Sequence, residues 1–281
     1  MTSHPRRPGT PLDGLLNLDK PVGLTSARAL DQVRAVTGQR KSGHAGTLDP
    51  GASGVLIICL GRATKLVERL MDLPKVYRAT ARLDVTSESL DADSELVPVP
   101  RSGTQGIPDA EALSRTFAGL TGEIQQIPPN ISAVKVNGVP AYKRARRGEV
   151  LQLEPRPVRV YWIRLHAFDW PNLDFEVCCG RGTYIRSLIR DIGVALGTGG
   201  CLTSLIREQI GPFTRAAAWT PDALRASPDF HKAVFDFDSA RTLLSAPPDV
   251  PAPPTASMNA TPLVRESLLA RTADPTNSEN P

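Results

Sequence analysis

Residues 43–60 read GHAGTLDPGASGVLIICL: an uninterrupted apolar run entered through a loop with glycine at 43, 46, 51 and 54 and proline at 50. The run from Val55 to Leu60 is short for a helix and rich in β-branched residues, so it reads as a buried strand and commits the chain to a sheet. Glycine tolerates positive φ and lets another backbone approach closely. Pro50 fixes its own φ and keeps Asp49 out of the helical region. Asp49, the loop's single acid, is therefore held on a stiff turn beside a buried strand. Two readings stay open: an Asx-type turn in which it only bonds backbone N–H groups, or a nucleophile or base displayed to a substrate.

The flanking segments predict an α+β chain whose mixed, largely antiparallel sheet is flanked by helices. LTSARALDQVRAVTGQ predicts a helix capped at Thr25 or Ser26, with Leu30, Val33 and Val36 on one face and Gly38 as the stop. ATKLVERLM predicts a short helix with Thr64 near its cap, and YRATARLDV alternates like a half-buried strand. PDAEALSRTFAGL predicts a helix opened by Pro108 and Asp109, with Leu113, Phe117 and Leu120 along one side. VRVYWIRLHAF and LDFEVCC, joined by DWPN, predict an antiparallel hairpin. TYIRSLIRDIGVALG carries Ile185, Leu188, Ile189, Ile192 and Leu196 at the spacing of a helix packed on a sheet. Beyond about residue 246, proline, alanine and small polar residues dominate, which predicts disorder with a helical turn or two at VRESLLAR.

Composition bounds the function. The chain is 41% apolar and 22% charged over 281 residues, ordinary for a water-soluble globule. No segment has the length and apolarity of a membrane span or a secretory signal, so a cytoplasmic protein is expected. Cys59, Cys178, Cys179 and Cys201 form no C-x-x-C pair, and the four histidines are scattered, so packing thiols and no metal cluster are expected. Residues 221–281 hold five basic and eight acidic side chains, which leaves +7 of the net +4 on the first 220. Residues 135–164 concentrate eight Lys or Arg against two Glu. That segment is either a solvated basic face or a surface that draws a phosphate backbone by counterion release.

Several chemistries fail on the loop itself. No Lys follows a glycine at P-loop spacing, GASGV is not a nucleophile elbow, and glycosidase work needs a second carboxylate. What remains is covalent catalysis by a lone carboxylate.

Six blocks then occur in register: GLLNLDKPVGLTS (14–26), KSGHAGTLDPGASGVL (41–56), KVYRA (75–79), IPPNISAVKVNGVPAYKRARRG (127–148), CGRGTYIRSLIRDIG (179–193) and LTSLIREQIGPF (202–213). In order and spacing the chain resembles the TruB family of bacterial tRNA pseudouridine-55 synthases over roughly residues 12–215. The resemblance implies an enzyme that isomerises uridine in the T-loop of tRNA without cofactor or metal, with tRNA as partner, no protein partner, and a monomeric state. It places Asp49 at the catalytic aspartate and Arg186 at the arginine that pairs with it. Tyr77 falls at the tyrosine that stacks on uracil and is a candidate to deprotonate C5. Lys20, His44, Tyr184 and Leu205 fall at substrate-binding positions, and Lys135, Lys143, Arg144, Arg146, Arg147 and Arg207 are expected along the RNA backbone. The domain plan is a catalytic unit over 11–220, with an RNA-clamping insertion near 125–152 and an extension over 221–281 lacking a clear PUA domain.

Three departures stand against the pattern. Asn130 and Ile131 occupy a stretch that reads PPMYSA-like in relatives, Ile206 to Gln209 replace an arginine-rich run, and the tail lacks the usual RNA-binding domain. The competing readings are a non-catalytic tRNA-binding or folding module and a synthase acting on another RNA.

Overall fold

The apolar run forms the strand Ser53–Leu60, and all eight of its residues are buried. Its odd residues Val55, Ile57 and Cys59 sit in one hydrophobic cluster and its even residues Leu56, Ile58 and Leu60 in another. The strand is therefore covered on both faces, which is why it reads as a continuous run rather than an alternation. The structure is a computed structural model that describes residues 12–100, 106–132, 135–136, 138–141, 144, 147, 149 and 152–253.

In chain order the strands are β1 (Gly14–Lys20), β2 (Ser42–Ala45), β3 (Ser53–Leu60), β4 (Lys75–Arg82), β5 (Val85–Thr86), β6 (Val97–Pro98), β7 (Gly122–Gln126), β8 (Lys135–Val136), β9 (Val139–Pro140), β10 (Arg156–Asp169), β11 (Asn172–Cys179), β12 (Cys201–Ile210), β13 (Phe213–Thr214) and β14 (Val234–Asp236). The α-helices are α1 (Ser26–Thr37), α2 (Val67–Asp72), α3 (Ala110–Gly119), α4 (Ile185–Leu196), α5 (Pro221–Ala226) and α6 (Phe237–Leu243). The main sheet runs β14-β1-β3-β12-β4-β11-β10-β7, with β2 also on β3 and β13 on β12. Its pairings are antiparallel except β3 with β12. The mixed, largely antiparallel sheet flanked by helices is thus as the sequence implied.

Local signals explain most boundaries. The Thr25 hydroxyl accepts from the Arg28 N–H, and Gly38 closes α1 in the left-handed region at φ 69°. Asp109 caps α3 by accepting from the Ala112 N–H at 2.7 Å. Leu113, Phe117, Leu188, Ile189 and Ile192 share the core cluster beneath β4, β11 and β12. The β10–β11 hairpin turns at a cis Trp170–Pro171 bond.

One expectation is corrected. The helix expected from residue 63 is a 3-10 segment, Gly61–Leu66, that runs on into α2. The Thr64 hydroxyl donates back to the Gly61 carbonyl at 2.9 Å instead of capping, the competing local bond open to Thr. The part of the extension between 221 and 245, whose packing the sequence left open, folds onto the body. Leu224 of α5 packs with α1, β14 extends the sheet beside β1, and Ala240 and Leu244 join the cluster under β3. Residues 246–253 have no regular structure, yet the Trp162 indole N–H donates to the Pro251 carbonyl at 2.7 Å. VRESLLAR lies outside the described residues.

Candidate active site

The loop between β2 and β3 is braced from below by the start of α1. Because Thr25 takes the cap, the Ser26 hydroxyl is free to bond Leu48 twice, donating to its carbonyl at 3.0 Å and accepting from its N–H at 2.9 Å. Gly23 N–H reaches the Pro50 carbonyl at 2.8 Å. Of the four glycines, Gly46 and Gly54 need their freedom, with φ of 88° and 104°. A Cβ on Gly54 would lie 2.2 Å from the Arg207 carbonyl oxygen, because β3 and β12 run side by side there. Asp49 is thereby presented at the mouth of a cleft of about 300 Å3, at the small end of ligand pockets.

The opposite wall is the first turn of α4. Arg186, with its side chain 6% exposed, reaches Asp49 Oδ2 at 2.9 Å, whereas the Asp49 side chain is 46% exposed. The same guanidinium donates to the Ser89 carbonyl at 2.9 Å and the Ile131 carbonyl at 3.0 Å and stands 3.5 Å from Asp91 Oδ2. Asp91 is in turn held by the Ser89 hydroxyl at 2.6 Å. The expected pair is formed, and the buried cation behind it is fixed on four sides. The brace from Ser26 to Leu48 and the support of Arg186 by Asp91 and the Ser89 carbonyl carry no local signal, since each joins residues remote in the chain.

Tyr77, Tyr184 and Leu205 also line the cleft, with Lys75 and Ser132. Burial pushes the Tyr77 phenol above its ordinary pKa, and nearby Arg207 opposes that shift. Burial likewise raises Tyr184, whose backbone is clamped on both sides by the Gln126 amide. Burial pulls Lys75 down to about 8, where its ammonium caps the Met71 and Leu73 carbonyls at the end of α2.

Other expected residues fall elsewhere. Lys20 is fully buried and donates to the Pro21 and Leu24 carbonyls at 2.9 and 2.7 Å, bracing the turn that holds Pro50 rather than lining the cleft. His44 lies on β2 ahead of the loop, with Nδ1 buried and without a hydrogen-bond partner among the described residues. Its pKa is lowered by burial and then by Arg207, so the ring is neutral at pH 7. Arg207, expected on the RNA backbone, is 2% exposed. It donates to the Val55 and Gly46 carbonyls, since its position on β12 points it beneath the cleft. Arg144 is taken up by Glu149 at 2.5 Å, and Arg147 is exposed. Lys135 lies in the β8–β9 hairpin, which turns at Gly138 with φ 80°. Lys143 and Arg146 lie outside the described residues.

Residues 34–185 match the family described as TruB family pseudouridylate synthase (N terminal domain). The chain belongs to the TruB family. Relatives named tRNA pseudouridine synthase B include that of Bordetella pertussis, 42% identical over 82% of this chain and 93% of the relative. That of Nocardia farcinica is 44% identical over 85% and 77%, and that of Thermobifida fusca 46% over 76% and 75%. Among solved structures, a Cbf5-Nop10-Gar1 complex is similar with a TM-score of 0.60 at 28% identity, covering 81% of this chain and 61% of that one. Within PPNISA, Arg186 uses the main-chain carbonyl of Ile131, a contact indifferent to the side chain at that position.

Proposed function

We propose that this chain isomerises uridine to pseudouridine at position 55 in the T-loop of tRNA. It would act in the cytoplasm as a monomer, without a protein partner or a cofactor. The observation that carries the reading is the Asp49–Arg186 pair: a half-exposed carboxylate at a cleft mouth, backed by a buried guanidinium. A carboxylate held by a guanidinium yet still open to the cleft is fixed in position without losing its access to substrate. No helix among the described residues is long and apolar enough to cross a membrane.

The chemistry conserves every atom. The N1–C1′ bond breaks, the uracil turns, a C5–C1′ bond forms, the C5 proton leaves, and N1 gains one. Asp49 attacks the nucleoside or assists a glycal-forming step. A base stacked in the T-loop has to be flipped out to reach it. Tyr77 and Tyr184 offer aromatic faces to the flipped base, and stacking of that kind is worth about 1–3 kcal/mol per base. Leu205 supplies an apolar wall. Arg147 and the β8–β9 hairpin would meet the RNA arm, with Lys135, Lys143, Arg144 and Arg146 on phosphates.

The test is purified protein with an unmodified T-stem-loop transcript and no added metal, assayed for pseudouridine. Stoichiometric conversion at position 55 is expected. Tight binding without conversion would favour a tRNA-folding module instead.

A further inference from the structure

Arg207 is the largest fully buried side chain of the described residues, yet none of their carboxylates pairs with it. Its Nε donates to the Val55 carbonyl at 2.7 Å and its Nη2 to the Gly46 carbonyl at 3.1 Å. Buried charges are ordinarily paired, because removing an ion from water is costly. Two carbonyl bonds could be made by a neutral amide, so the retained charge has another use.

That use is visible in the sheet. Arg207 on β12 stands directly opposite Tyr77 on β4, and both side chains line the cleft floor. We infer that Arg207 is a positioning residue for Tyr77, its unpaired guanidinium supplying the counter-charge that lets the phenolate form and take the C5 proton. The inference rests on the isomerase reading above. When the phenolate takes that proton, the C–H electron pair restores the C5=C6 double bond and Tyr77 becomes a neutral phenol; the proton lost on forming the phenolate goes to solvent.

The other groups around the phenol do not do this work. Burial first, and then Cys179 on β11 and Asp49 in the loop, push its pKa up, and Arg207 is the cation that pulls it down. Lys75, two residues along β4, is committed to carbonyls and pulled down to about 8 by burial and then by Arg207. Arg186, on α4 across the cleft, is committed to Asp49, Asp91 and two carbonyls. His44 and Lys20, which also feel Arg207, are pushed toward their neutral forms by burial and by it.

The experiment compares full-length wild type with Arg207→Gln and Arg207→Lys. Single-turnover pseudouridine formation on the T-stem-loop is followed across pH, with thermal unfolding and RNA binding measured alongside. In Arg207→Gln the limb that rises with pH is expected to move to higher pH, lowering the rate near neutrality by about tenfold or more, the equivalent of at least one pH unit. Arg207→Lys, which keeps the charge, is expected to return the limb toward its wild-type position. A limb that stays in place in a folded Arg207→Gln, or equal losses in both variants at every pH, overturns the inference in favour of a packing role. Should Arg207→Gln fail to fold, Arg207→Met takes its place in the same comparison, and 3-fluorotyrosine at position 77 of the wild-type protein checks the phenol itself. Its more acidic phenol has to move the limb to lower pH, and an unmoved limb refutes Tyr77 as the titrating base. Wild type that makes no pseudouridine takes down the isomerase reading itself, whereas active wild type with an unmoved limb takes down this inference alone.

Discussion

Gly54 and Gly51 lie three residues apart in one loop, and the structure assigns them opposite responses to alanine. At Gly54 the new Cβ would sit 2.2 Å from the Arg207 carbonyl oxygen and 2.8 Å from its backbone carbon and nitrogen, at φ 104°. Backbone atoms in a paired strand cannot swing aside. Overpacking of this kind costs about 1–3 kcal/mol, and a non-glycine residue held in a sparsely populated backbone region costs of order 1–3 kcal/mol more. A loss of roughly 4 kcal/mol lowers the Tm of a unit of this size by roughly 8–16 °C. At Gly51 the Cβ would meet only the Asp93 carboxylate, with Oδ1 at 3.6 Å and Oδ2 at 3.8 Å, both ordinary contacts, so Gly51→Ala should gain about 0.4–1 kcal/mol by stiffening the unfolded chain. Thermal unfolding by circular dichroism measures both. A Gly54→Ala protein with wild-type Tm, or a Gly51→Ala protein that falls equally far, would refute the claim that β3–β12 contact shapes the loop.

Three further outcomes follow from the braces around Asp49. Ser26→Ala leaves the buried Leu48 N–H and carbonyl without their partner and should cost about 1–3 kcal/mol in urea unfolding, with turnover falling more than T-arm binding. Arg186→Met strips the donor from Asp91 and from the Ser89 and Ile131 carbonyls; a loss of about 3–5 kcal/mol is expected, and a double-mutant cycle with Asp91→Asn should show the two sites to be coupled. His44 has a folded-state pKa lowered from 6.5, so below that pH the unfolded chain binds the proton first and stability declines. Denaturant midpoints taken through that range should fall less steeply in His44→Gln, and an unchanged slope would show that the ring titrates freely.

Local signals were the legible part of this chain. Caps at Thr25 and Asp109, the stop at Gly38 and the buried run of β3 are set by neighbours in sequence, and each stands where the pattern put it. The Asp49–Arg186 pair was reachable only through resemblance, since 136 intervening positions separate an apparent turn acid from an apparent surface arginine. Arg207 was misplaced for a related reason: a basic residue in a polar stretch reads as exposed, and its burial depends on the register of β12 against both β3 and β4. Lys20 was misjudged because the carbonyls that satisfy it are those of its own turn. Where residues 221–244 pack was not legible, because Leu224, Phe230, Val234, Phe237, Ala240 and Leu244 gain their meaning from clusters whose other members lie mostly far away in the chain.

The account stands most directly on the carboxylate at position 49. Asp49→Asn keeps the shape of the side chain and removes its charge, so the variant should bind the T-stem-loop with near wild-type affinity while forming no pseudouridine in a single-turnover assay at saturating enzyme. Measurable conversion by carefully purified Asp49→Asn protein would contradict the central claim.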